Sequence, residues 1–229
     1  MLEGKKIIVT GSASGMGEAT LKAYVKAGAN VIGMDISDEK GKNISTNANS
    51  HGPGTCSFIR IDVSDKNSVK NAFELALDEL KTLDVLAHPA AIQGPADASS
   101  VKVEDWDNMF AVNVRGTMLT NQNAFKYMKK NGSGSIINFG SISGLRPEPS
   151  ASSYSAAKGA VHSWTRTAAG TWGKYNIRVN AILPAIATPM YYAARERSTE
   201  EENNVAHWRN SAPISLGQEY GDPDNDLAP

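Results

Sequence analysis

The chain holds one cysteine, Cys56, so no intrachain disulfide can form. Cys56 lies in TCSFIRID, where a buried thiol acts as a small apolar side chain. Its four histidines, His51, His88, His162 and His207, are scattered without metal-ligand spacing, so no metal site is expected. His51 belongs to a polar loop, and His162 reads as a packed helix residue rather than a catalytic one. Charge is almost balanced, 23 basic against 24 acidic residues, which gives no reason to expect nucleic acid or an anionic membrane as partner. No apolar run approaches the roughly 20 residues that span a bilayer. MLEGKK runs straight into an apolar segment and leaves no room for a signal peptide, so a cytoplasmic location is the expectation. Neither an internal repeat nor a linker breaks the chain, and 229 residues suit one α/β domain over 1–229.

What is present is an alternation of strand and helix signals. Short β-branched runs predict strands at 5–10, 30–35, 56–61, 83–88, 134–140 and 177–183. Helical periodicity predicts helices at 15–27, 38–48, 66–81, 102–129 and 152–174, with 102–129 either two helices or one bent one. Such alternation implies a parallel, doubly wound, Rossmann-like α/β sheet with helices on both faces. Ligands of such sheets bind beyond the carboxyl ends of the strands, where strand order reverses.

The first strand, KKIIVT, leads directly into TGSASGMG at 10–17, and a helix then runs to Gly28, a C-cap candidate. Strand, glycine turn and helix form the context a dinucleotide site needs. Glycines let the backbone approach a pyrophosphate, which rests on the helix N-terminus. The spacing is G-x-x-x-G-x-G, through Gly11, Gly15 and Gly17. Asp35 ends the second strand, where a carboxylate can accept from ribose hydroxyls and repel a 2′-phosphate, although MDISDEK also suits a turn-forming Asp. No Lys or Arg occupies the glycine loop or directly follows Asp35, which favours NAD over NADP.

Tyr154 and Lys158 are four residues apart in SSYSAAKGAV, one helical turn, so they share a face. A phenol with a pKa of about 10 carries protons poorly at neutral pH, and a fixed ammonium beside it would favour the phenolate. Taken alone, the pair also fits an ordinary amphipathic helix.

Together these motifs resemble the short-chain dehydrogenase/reductase family in its compact, single-domain form, from about residue 3 to the end of the chain. TGSASGMG matches the family's cofactor turn, bringing Ser14 and Met16 in with the three glycines. Asp62, with Val63 beside it, matches the acidic residue that meets the adenine. Asn113 in MFAVNVRGT and Ser141 in INFGSISG join Tyr154 and Lys158 as the matching catalytic tetrad. Ala90, Pro184 and Thr188 correspond to contacts with the nicotinamide end of the cofactor. The resemblance implies hydride transfer between NAD(H) and a secondary alcohol or ketone, in a homodimer or homotetramer. Under it Tyr154 is acid and base, and Ser141 holds the substrate oxygen. Lys158 tunes the tyrosine and bonds the ribose, while Asn113 positions a water behind the lysine. Ser143 either assists at the substrate oxygen or caps a turn. The alternative is a non-catalytic NAD-binding sensor or scaffold of the same fold.

The chain departs from the family at three places. The usual Asn-Asn-Ala-Gly after the fourth strand is His88, Pro89, Ala90, Ala91, which removes the side chains that tie the sheet to a neighbouring helix. The segment from Pro184 to Thr188 is one residue short. The sequence stops at Pro229 before a final helix and strand, so a sheet lacking its last strand is expected. Segment 186–212 reads as a substrate lid, whose Met190, Tyr191, Tyr192 and Trp208 either contact substrate or pack on the domain. Gln93, Arg146 and Glu148 suggest a partly polar pocket.

Overall fold

Strands buried on both faces need apolar residues at successive positions, and the first strand shows the requirement most clearly. In β1 (Lys6–Thr10) Ile7, Ile8 and Val9 are all fully buried, yet neighbouring side chains enter different cores. The computed structural model describes residues 2–146, 148, 150–184, 192 and 196. The chain continues through α1 (Gly15–Lys26), β2 (Asn30–Asp35), α2 (Asp38–Asn49), β3 (Thr55–Arg60), α3 (Lys66–Leu80) and β4 (Val85–His88). Then come α4 (Val103–Phe110), α5 (Gly116–Asn131), β5 (Gly134–Phe139), α6 (Ser152–Trp172) and β6 (Ile177–Ile182).

The six strands form one parallel sheet in the order β3-β2-β1-β4-β5-β6. The chain winds outward from β1 to β3, then crosses back to place β4 on the other side of β1. Order reverses between β1 and β4, so the crevice beyond their carboxyl ends is where a ligand is expected. One core joins Ile8, Ile32, Leu86 and Ile136 of the sheet to Phe73 of α3, Met128 of α5 and Trp172 of α6. The other joins Ile7, Val9 and Val31 to Leu21 and Val25 of α1. Truncating the fully buried Phe73 to Ala would cost about 3–5 kcal/mol. β6 differs from β1: Ile177 and Val179 are buried, whereas Arg178 and Asn180, which alternate with them, are exposed. Among the described residues β6 pairs only with β5, and the expected lid lies outside those residues except for Tyr192 and Glu196.

All six expected strands and the helices between them form, with ends shifted by a residue or two. The long 102–129 signal forms two α-helices, one of its two expected readings. A π-helical turn at Ala111–Arg115 joins α4 to α5, and Asn113 lies at its centre. Gly28 adopts φ 91° just past α1, as a helix-ending glycine should.

Candidate active site

The glycine turn places backbone where side chains would block it. Gly11 and Gly15 have φ of 61° and 53°, a region L-residues rarely enter. A Cβ on Gly11 would come within 2.7 Å of the Ala90 Cα, and one on Gly17 would collide with the Gly11 carbonyl. The turn thus lies flat on the loop after β4 and opens the N-terminus of α1. Ser14, which precedes α1, is extended and makes no side-chain cap, so first-turn N–H groups remain for a ligand. These residues wall one side of a cleft of about 290 Å³.

Nine of the sequence-predicted cofactor residues line that cleft: Gly11, Ser14, Gly15, Met16, Gly17, Asp35, Asp62, Val63 and Ala90. Asp35 accepts from the Ala13 N–H at 3.0 Å and from the Ser37 N–H at 2.9 Å. Its carboxylate therefore holds the glycine turn as well as facing the cleft. Asp62 accepts from the N–H and hydroxyl of Ser64, at 2.9 and 2.7 Å, which fixes the turn after β3. An extended dinucleotide fits this set: a glycine-lined helix end for phosphates and a carboxylate at the tip of β2. Pro184 is not one of the cleft walls, and Thr188 lies outside the described residues.

The four tetrad candidates come from three elements. Asn113 is only 1% exposed and grips the Ile92 backbone twice, accepting from its N–H and donating to its carbonyl, each at 2.9 Å. The side chain thus ties the π turn to a cleft wall.

Ser141 follows β5 in extended conformation, and its hydroxyl oxygen accepts from the Ser143 N–H at 3.2 Å. Ser141, rather than Ser143, therefore caps the short 3-10 turn Ile142–Gly144. Tyr154 lies in the first turns of α6, near enough to the Ser141 hydroxyl to feel it. Burial pushes the phenol up, and the Ser141 hydroxyl pulls part of the way back.

Lys158 is 4% exposed, and burial pushes its pKa down to about 8. Its Nζ donates to the Phe139 carbonyl at 2.7 Å and lies 5.5 Å from the centre of the Tyr154 ring. Burial therefore outweighs the ammonium in setting the direction of the Tyr154 shift. The cation sits over the ring and is bound elsewhere, so desolvation decides the direction.

Several supporting residues lay beyond the motifs. The tether expected to be lost with the Asn pair is rebuilt by His88. Its Nδ1 meets the Thr10 hydroxyl at 2.7 Å and the Thr120 hydroxyl at 3.3 Å, linking β4 to β1 and α5. Full burial, then the Lys158 charge, drive the His88 pKa down to about 3, so the imidazole is neutral. On β5, in register with His88, Asn138 exchanges hydrogen bonds with Asn121 at 2.9 and 3.0 Å and donates to Thr165. His162 accepts the Ser141 N–H at 3.2 Å, so it is packed, as expected, but not idle. Only the departure at His88 was a visible signal of this layer.

The short chain dehydrogenase family model matches residues 5–199. The chain belongs to the short-chain dehydrogenase/reductase family. Within the family it is 36% identical over 200 residues to the 3-oxoacyl-(acyl-carrier-protein) reductase FabG of Thermotoga maritima, covering 87% of this chain and 81% of that protein. It is 35% identical over 187 residues to the cyclopentanol dehydrogenase of Comamonas testosteroni, covering 81% and 74%. The fold superposes with a TM-score of 0.85 on a 3-ketoacyl-(acyl-carrier-protein) reductase from Brucella melitensis complexed with NADH, at 28% identity, over 99% of this chain and 89% of that one. It is thus an oxidoreductase-family chain with the fold of nicotinamide-binding relatives. Among the described residues no helix is long and apolar enough to cross a membrane, and no three His, Cys, Asp or Glu cluster for a metal.

Proposed function

We propose that the chain interconverts a secondary alcohol and its ketone with a nicotinamide dinucleotide, NAD being preferred. One observation carries the reading: Ser141, Tyr154 and Lys158 converge at the end of β5, and Asn113 ties their surroundings to the wall of the glycine-turn cleft. The nine cleft residues would hold the dinucleotide, with Pro184 and Thr188 after β6 as further contacts at its nicotinamide end. When bound, the cofactor supplies a two-electron acceptor or donor.

The chain's own residues handle the proton and the orientation. Tyr154 takes the substrate hydroxyl proton in oxidation and returns it in reduction. Ser141 accepts from the Ser143 N–H and donates to the Ser143 hydroxyl, each at 3.2 Å, and its O–H would turn from Ser143 to the substrate oxygen when substrate enters. Lys158 is the cation that faces developing phenolate, and it gains a further partner when a ribose hydroxyl is in reach. Asp35 supplies the preference for NAD, because its carboxylate would repel a 2′-phosphate.

A panel of secondary alcohols and ketones, cyclopentanol included, followed by reduced-nicotinamide absorbance with each cofactor, tests the reading. NAD-linked turnover of at least one alcohol is expected. Cofactor binding without turnover on any member would instead favour a sensor, and equal or tighter NADP binding would sink the preference. A homodimer or homotetramer is part of the same proposal, as the resemblance implies; light scattering of a purely monomeric solution would contradict it. Cytoplasmic residence is proposed on the same footing, with cell fractionation as its check.

A further inference from the structure

We infer that His162 is a positioning residue that sets the place of Ser141 relative to Tyr154, a role that rests on reading Ser141 as the group that holds the substrate oxygen. α6 carries Tyr154, Lys158 and His162 at successive four-residue steps, which aligns the three on one face. Tyr154 stands beside the Ser141 side chain, and His162 bonds its backbone, with Nε2 accepting the Ser141 N–H at 3.2 Å. One serine thus meets two side chains of a single rigid helix. The loop is shaped around this ring. A Cβ on Gly140 would collide with His162 Nε2, and one on Gly144 would come within 2.7 Å of the Lys158 backbone carbon and 2.8 Å of the His162 Cε1. Glycines on either side of Ser141 therefore leave space for an imidazole that is itself 6% exposed.

Acceptance at Nε2 requires a neutral ring with its proton on Nδ1. The surroundings favour that neutral state, since burial and the charges of Lys158 and Arg166 all hold the His162 pKa below its usual value. The Nδ1 atom is buried without a partner, so Nε2 is the nitrogen that the fold engages. An apolar residue would fill the same volume but leave the Ser141 N–H without its acceptor. The 3-10 turn would then be free to move the hydroxyl off line, and a displacement of about 1 Å near reacting groups costs on the order of 10²-fold in rate.

Three measurements on the full chain decide it. In wild type, long-range proton–nitrogen spectra of the imidazole should show a protonated Nδ1 and a bare Nε2 for His162. A protonated Nε2 would overturn the contact, whether or not any variant folds. His162→Phe keeps a ring and removes the acceptor, and His162→Gln places an amide oxygen within reach of the same N–H. On the best alcohol of the panel, kcat should fall roughly 10–100-fold in His162→Phe. It should largely recover in His162→Gln, with NADH affinity by fluorescence unchanged in both. Wild-type kcat in His162→Phe, or equal loss in both variants, would overturn the role. Ser141→Ala separates the two layers. If it keeps full turnover, the reading of Ser141 falls and the role of His162 with it. If it loses turnover while His162→Phe does not, only the positioning role is lost.

Discussion

The two halves of the sheet hold their chemistry by different means. In the half built from β1, β2 and β3, the site is mostly backbone: glycines with positive φ, the open end of α1, and carboxylates that fix turns by accepting N–H groups. In the half built from β4, β5 and β6, it is mostly side chain: Lys158 is held by the Phe139 carbonyl, Ser141 by His162, and β4 by the His88 bond to Thr10. Backbone recognition suits a ligand portion that every turnover shares, because phosphates and ribose ask only for donors and acceptors at fixed places. Proton transfer asks for one phenol in one environment, so its support is buried. Charge follows the same division. Asp35 and Asp62 are partly solvated, whereas His88 and Lys158 are driven toward their neutral forms.

The comparison breaks hardest at Lys158, which serves both halves. Lys158→Met should cut turnover on the order of 10²-fold or more and weaken NADH binding as well. Removing the cation disfavours phenolate, so the alkaline limb of alcohol oxidation should move to higher pH. Paired pH–rate profiles and fluorescence titrations check both effects; an unchanged limb with unchanged affinity would leave Lys158 a structural residue.

Acid stability probes the catalytic half alone. The folded His88 pKa is about 3 against 6.5 for an exposed histidine, so between those values the unfolded chain binds the proton and the folded chain does not. Stability contributed this way is present above about pH 6.5 and falls as pH drops toward 3, by up to about 1.4 kcal/mol per pH unit. His88→Asn should flatten that slope in urea titrations across the window, although it also weakens the Thr10 and Thr120 contacts. Equal slopes for the two proteins would contradict the buried neutral imidazole.

The smallest effect belongs to the nucleotide half. Asp35→Ala removes the acceptor for the Ala13 and Ser37 N–H groups, so NAD affinity should fall about tenfold, about 1.4 kcal/mol, while discrimination against NADP relaxes. Binding titrations with both cofactors measure it, and an unchanged ratio would remove Asp35 from the account.

The same contrast explains what could be read in the chain beforehand. The glycine turn, Asp35 and the strand pattern are local signals, because a turn or a strand is written in consecutive residues. Tyr154 and Lys158 share one helical turn, and they too could be found by spacing. The residues that hold them could not. His88 meets Thr10 across 78 positions and His162 meets Ser141 across 21, and neither separation has a periodicity that marks it. The loss of the Asn pair at His88 and Pro89 was visible, but not that an imidazole would bridge the same elements. The π turn around Asn113 was hidden because its sequence continues the helical pattern on either side. The direction of the Tyr154 shift was also missed, since proximity in sequence to an ammonium says nothing of burial.

The most direct test of the account is Tyr154→Phe, assayed for turnover and for NADH binding in one preparation. The ring and its packing remain, and only the hydroxyl beside Ser141 is lost. Turnover of the best alcohol should fall by a factor on the order of 10²–10⁴, with NADH affinity nearly unchanged. Retention of most wild-type turnover would contradict the assignment of the proton to Tyr154.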